Sequence, residues 1–125
     1  MTKSILVVDD NSVVRHSLRR IFEGHSGWQV CGEAVDGVDA VEKARELTPD
    51  LIVLDLAMPR MNGLEAARAL RSFMPSVPLI LFTVFGNTPQ TTKEAREVGI
   101  TNVVSKADGA EGLVNTIQAA FDHPN

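Results

Sequence analysis

The chain has 125 residues, 44% of them hydrophobic, and sixteen acidic against twelve basic side chains give a formal charge of −4. That is enough for one core burying roughly two-thirds of the unfolded surface, so residues 1–125 are read as a single domain. The acidic balance, without any Lys/Arg block, argues against direct nucleic-acid binding, and no apolar run approaches the ~18 residues of a membrane span. The first apolar run follows the N-terminus almost at once, with no signal peptide, so the expected compartment is cytoplasmic. Cys31 is the only cysteine. It excludes a disulfide framework or a cysteine metal site and is expected to pack as a small buried hydrophobe.

Short apolar runs alternate with helical patterns five times. Ile5 to Val8 reads as a strand ending in Asp9-Asp10. A helix follows, with Val13, Val14, Leu18, Ile21 and Phe22 at helical spacing, Asn11 or Ser12 as N-cap and Gly24 as the stop. Trp28 to Val35 is the second strand, and Asp36-Gly37 turns the chain into a helix with the stripe Val38, Val41, Ala44 and Leu47. Asp36 is expected to be a turn or cap residue only. Leu51 to Leu54 is the third strand, closed by Asp55. A loop through Met58, Pro59, Asn62 and Gly63 leads into a helix carrying Leu64, Ala67, Leu70 and Phe73. Leu79 to Phe82 is the fourth strand, closing on Thr83. The helix from about Thr88 to Val98 has few apolar residues besides Ala95 and Val98, which makes it the least firmly docked element. Thr101 to Ser105 is the fifth strand, with Lys106 just past it, and Leu113, Val114, Ile117 and Phe121 mark the last helix.

This (βα)5 pattern implies an α/β fold, a doubly wound five-stranded parallel sheet with helices on both faces. Such sheets bind ligands beyond the carboxyl ends of their strands, where strand order reverses. Asp9 and Asp10, Asp55, Thr83 and Lys106 all stand at strand ends. Taken singly, each has an ordinary explanation as a cap, a turn residue or a surface lysine. Together they describe one rim. Three convergent carboxylates repel one another unless a cation or a shared proton intervenes, which is the pattern of a divalent-metal site with a reactive aspartate.

The segments Val8-Asp9-Asp10, Asp55-Leu56-Ala57-Met58-Pro59 with Asn62-Gly63, Thr83 and Lys106 resemble the receiver domains of two-component response regulators over essentially the whole chain. The resemblance implies a CheY-like strand order, 2-1-3-4-5. It implies Asp55 as phosphoacceptor, Thr83 and Lys106 as contacts of the phosphoryl group, and Mg²⁺ or Mn²⁺ held by Asp9, Asp10, Asp55 and the main-chain carbonyl of Ala57. It also implies a sensor histidine kinase or a histidine phosphotransfer protein as partner, a homodimer formed on phosphorylation, and an output surface of helix 4, strand 5 and helix 5. The chain would then be a phosphoacceptor rather than an enzyme. A degenerate receiver that binds partners without phosphorylation is the alternative. Lys106-Ala107-Asp108 and Val30-Cys31-Gly32-Glu33-Ala34 resemble the NarL/LuxR subgroup, whose receivers normally precede a helix-turn-helix domain; the chain is either a stand-alone receiver or a piece of such a regulator.

Three positions depart from the family pattern. Ala107 follows the site lysine where proline is frequent, so this peptide is expected to be trans. Val103 stands where an aromatic rotamer switch is common, and Val84 adds bulk after the switch hydroxyl. A haloacid-dehalogenase phosphatase would carry a second acid where Ala57 stands. A nucleotide- or flavin-binding domain would not place Asp9-Asp10-Asn11 where a phosphate must sit.

Overall fold

The computed structural model describes residues 2–84 and 88–122. Strands β1 (Lys3–Val8), β2 (Trp28–Ala34), β3 (Leu51–Leu54), β4 (Leu79–Thr83) and β5 (Asn102–Ser105) alternate with helices α1 (Ser12–Glu23), α2 (Gly37–Leu47), α3 (Gly63–Phe73), α4 (Pro89–Glu97) and α5 (Gly109–Asp122). The strands form one parallel sheet in the order β2-β1-β3-β4-β5. This is the doubly wound arrangement expected from the (βα)5 pattern, with the reversal of order falling between β1 and β3.

Two cores form because alternate residues of a strand point to opposite faces. Ile5, Val7, Leu51, Val53 and Ile80 join Leu18 and Phe22 of α1 and Leu113 and Ile117 of α5. Leu6, Val8, Ile52, Leu54 and Leu81 join Ala40 and Ala44 of α2, Ala66, Ala67 and Leu70 of α3 and Ala95 of α4. Burial on both faces explains why the central strands read as unbroken apolar runs. The small residues facing the second core let its helices approach closely. Trp28, at the start of β2, stacks on His25 at 4.4 Å and takes the edges of Phe22 and Phe121.

Helix starts follow the side chains that cap them. Asn11 caps α1 by accepting from the amides of Val13 and Val14, and Asn62 forms a reciprocal capping box with Glu65 at α3. Thr88 caps α4 directly before Pro89. In α4 only Ala95 is buried, as its sparse apolar pattern predicts.

Several local readings differ. Val13 is 71% exposed rather than part of the α1 stripe; three and four residues on, its own face carries His16 and Ser17, so it lies off the line through Val14, Leu18 and Phe22. Cys31 is half-buried, its thiol 3.5 Å from the Ile5 carbonyl, and burial pushes that thiol up in pKa. β2 ends at Ala34 and β5 begins at Asn102, one residue short of each expected limit. No described peptide bond is cis, in keeping with Ala107 in place of proline, and the chain passes from β5 into a 3-10 turn (Lys106–Asp108) capped by the Ser105 hydroxyl.

Candidate metal and phosphoryl-transfer site

Strand register builds the site. Val8 pairs with Leu54 across β1 and β3, so the next residues, Asp9 and Asp55, emerge side by side at the carboxyl edge. The Asp9 amide donates to Ala34 and the Asp55 amide to Val8, which carries the sheet's hydrogen bonding up to the rim. Thr83 pairs with Ser105 at the ends of β4 and β5, and Lys106 follows immediately. Asp9, Asp55 and Thr83 are buried; Asp10 and Ala57 are exposed.

Carboxylate oxygens of Asp9, Asp10 and Asp55 lie within 4.8 Å of one another. The Lys106 ammonium enters between two of them, donating to Asp9 Oδ2 at 2.9 Å and to Asp55 Oδ2 at 3.3 Å. The other Asp9 oxygen accepts from the Asn11 amide and the other Asp55 oxygen from the Leu56 amide, at 2.9 and 2.8 Å. The Thr83 hydroxyl, beside the Asp55 carboxylate, favours its charged form. One ammonium against three carboxylates leaves two negative charges uncompensated, and all the donors are hard oxygens. This is the charge and ligand type suited to a divalent ion such as Mg²⁺, which takes one or two carboxylates and keeps several waters.

Burial raises the Asp55 pKa above the ordinary value of an aspartate, against the pull of Lys106 and with the push of Asp9. Burial alone would lower the Lys106 pKa, but its hydrogen bond to Asp9 and the charge of Asp55 outweigh that and raise it. An acid whose folded pKa is raised favours folding below its unfolded value and loses that contribution as pH rises through the folded value. Metal-free protein should therefore melt lower than Asp55→Asn at pH 7, with the gap closing as the pH approaches 3.8, the ordinary aspartate value. Thermal melts of both proteins from pH 4 to 8 in a chelator check this; a gap independent of pH would show that Asp55 ionisation does not strain the fold.

Three contacts escape a reading by sequence, two of them beside this rim and the third at the opposite edge of the sheet. Arg15 donates from Nη1 to the Asp9 carbonyl at 2.6 Å and from Nε to Glu33 at 3.0 Å, while Arg19 reaches the other Glu33 oxygen at 2.8 Å. A glutamate inside the apolar β2 run was the available signal, because a carboxylate there needs cations from the covering helix. Asp36 caps α2 through the Asp39 amide, as expected, but it is also forked by Arg60, whose hydrogen bonds hold its carboxyl below the usual range. Arg71 donates to the carbonyls of Met74, Val77 and Gly99, tying the end of α3 to the α4–β5 turn.

The response regulator receiver domain model matches residues 5–118, and the chain belongs to that family. It is 36% identical over 117 residues to the response regulator GacA of Pseudomonas aeruginosa, covering 94% of this chain and 54% of GacA. The chain thus spans about half the length of that curated relative. Among solved structures it is similar to the response regulator domain of Thermotoga maritima CheB, with a TM-score of 0.91, 30% identity and full coverage of both chains. It is also similar to a LuxR-family two-component response regulator from Aurantimonas sp. SI85-9A1, with a TM-score of 0.91, 34% identity, and coverage of 98% of this chain and 86% of that one. Among the described residues no helix is long and apolar enough to cross a membrane.

Proposed function

We propose that the chain works as one phosphorylation-activated receiver unit in which Asp55 accepts a phosphoryl group from a sensor histidine kinase or a histidine phosphotransfer protein. The observation that carries this reading is the convergence of Asp9, Asp10, Asp55 and Lys106 at a single rim, with Thr83 beside the Asp55 carboxylate. In the transfer an Asp55 oxygen bonds phosphorus as the donor's N–P bond breaks. Lys106 already touches the acceptor and supplies a compact positive charge to the incoming oxygens. The Thr83 hydroxyl offers them a donor. Asp9, Asp10, Asp55 and the Ala57 carbonyl would hold Mg²⁺ or Mn²⁺, which supplies charge neutralisation and alignment of donor and acceptor when bound.

Incubation with acetyl phosphate and Mg²⁺, read by intact-protein mass spectrometry, is expected to give a single phosphoryl adduct that a chelator prevents. Mg²⁺ binding without any adduct would favour a phosphorylation-independent interaction module instead.

The adduct should be long-lived. Its hydrolysis needs a water held in line with phosphorus, and Ala57, exposed beside the acceptor, has no polar group to hold one. Phe85, two residues past Thr83 and likewise without a hydrogen-bonding side chain, lies outside the described residues. Ala57→Asn should shorten the lifetime several-fold in a phosphate-release assay; a wild type that already decays faster than this variant would refute the assignment.

The signal is proposed to leave through α4, β5 and α5, which would also form the dimer surface of the phosphorylated protein. Val103 is an aliphatic, half-buried side chain, so no ring can swing there. The change must run through the backbone after Thr83 into α4, whose one buried residue is Ala95. Amide exchange with and without beryllofluoride is expected to differ mainly over residues 84 to 106; changes confined to the Asp55 loop would refute this route.

A further inference from the structure

The loop between Asp55 and α3 adopts a conformation that its own residues do not favour. Met61 N–H donates to the Pro59 carbonyl at 2.7 Å, closing a three-residue turn around Arg60, whose φ is 64°. A side chain with a Cβ resists that left-handed backbone. What holds it lies on another element. Arg60 Nε donates to Asp36 Oδ2 at 2.7 Å and Nη2 donates to Asp36 Oδ1 at 3.1 Å, a two-point fork onto a buried carboxylate. Beside it, Gly37 N–H donates to the Met61 carbonyl at 3.1 Å, and a Cβ on Gly37 would stand 2.5 Å from that oxygen. The turn is thus pressed onto the first residues of α2 and clasped there. The Arg60 side chain itself is 60% exposed, so its burial is not the reason for the contact. Two residues upstream of Pro59 is Ala57, and the far end of the loop returns through Gly63 N–H to the Leu56 carbonyl at 2.9 Å.

Resting on the metal reading given above, we propose that Asp36 and Arg60 are positioning residues: their fork fixes the loop carrying the Ala57 carbonyl and thereby sets the affinity of the acidic cluster for Mg²⁺. Residues that orient a ligand without touching the metal commonly change affinity by an order of magnitude. The direction of the effect separates this role from plain electrostatics. Removing a cation from an acidic protein should tighten Mg²⁺ binding or leave it unchanged, whereas releasing the loop should weaken it.

The test uses the full chain as wild type, Arg60→Gly, Asp36→Asn and the double variant. Glycine tolerates the positive φ, and asparagine keeps the α2 cap, so both variants should fold. Calorimetric Mg²⁺ titration is expected to show roughly 10-fold weaker binding in each single variant and no further loss in the double. Amides of residues 56 to 63 should exchange faster in both, while the melting temperature of metal-free Arg60→Gly stays level or rises. Equal or tighter Mg²⁺ binding in Arg60→Gly, or unchanged exchange over 56 to 63, would overturn the inference while leaving the receiver reading intact. A wild type that binds no Mg²⁺ would overturn both.

Discussion

Asp55→Asn is expected to abolish the acetyl-phosphate adduct altogether, leaving a fold at least as stable as the wild type. Asparagine keeps the size of the side chain and an oxygen for the Leu56 amide, but it lacks the second anionic oxygen that forms the bond to phosphorus. Nothing else in the cluster replaces it. Asp9 is more deeply buried than Asp55, 3% against 7% exposed, which gives a phosphoryl donor less access to it. Asp10 is solvent-exposed, and no strand-end lysine stands against it. Undiminished adduct in Asp55→Asn, read by intact mass and peptide mapping, would move the acceptor to another residue. Loss of the adduct with a retained melting transition is the outcome expected.

The second large effect concerns Gly63. A Cβ there would lie 2.3 Å from the Asp55 carbonyl oxygen and 3.0 Å from Leu56 Cα, and both neighbours are backbone with no side chain to move aside. Gly63→Ala should therefore cost about 3 kcal/mol, the upper part of the overpacking range, and lower the melting temperature by roughly 10 °C. The displaced peptide belongs to Asp55, so phosphorylation should fail in whatever fraction stays folded. Calorimetric melts of the two proteins decide; a shift under 2 °C would mean that the loop re-forms around the methyl group.

Much of the architecture is legible without coordinates because sheet strands buried on both faces must be apolar throughout. Ile5 to Val8 and Leu51 to Leu54 could hardly be anything else, and a carboxylate directly after such a run has to surface at the rim. The rim residues follow from that one rule and the order of the strands. Less legible were features fixed by distant partners. Asp36 and Arg60 are 24 positions apart and meet only because the β3–α3 loop folds back over α2. Val13 looked like core because valine is apolar, yet the turns that follow it on its own face are polar. The 3-10 turn after β5 depends on the Ser105 hydroxyl accepting from Ala107 N–H, a local competition that hydrophobic patterning does not register.

The aromatic cluster at the start of β2 has a practical bearing on all these measurements. Trp28 is the only tryptophan in the chain and is paired across the sheet with Lys3, whereas Ala34, at the other end of the same strand, is paired with Val8 beside the acidic rim. Six strand residues separate the indole from that rim, about 20 Å. Ring emission should thus follow loss of the core, where Phe22 and Phe121 pack against it, while staying dark to events at Asp55. The protein carries its own optical gauge of folding, blind to the acidic rim, and a fluorophore placed near Thr83 would be needed to watch that rim.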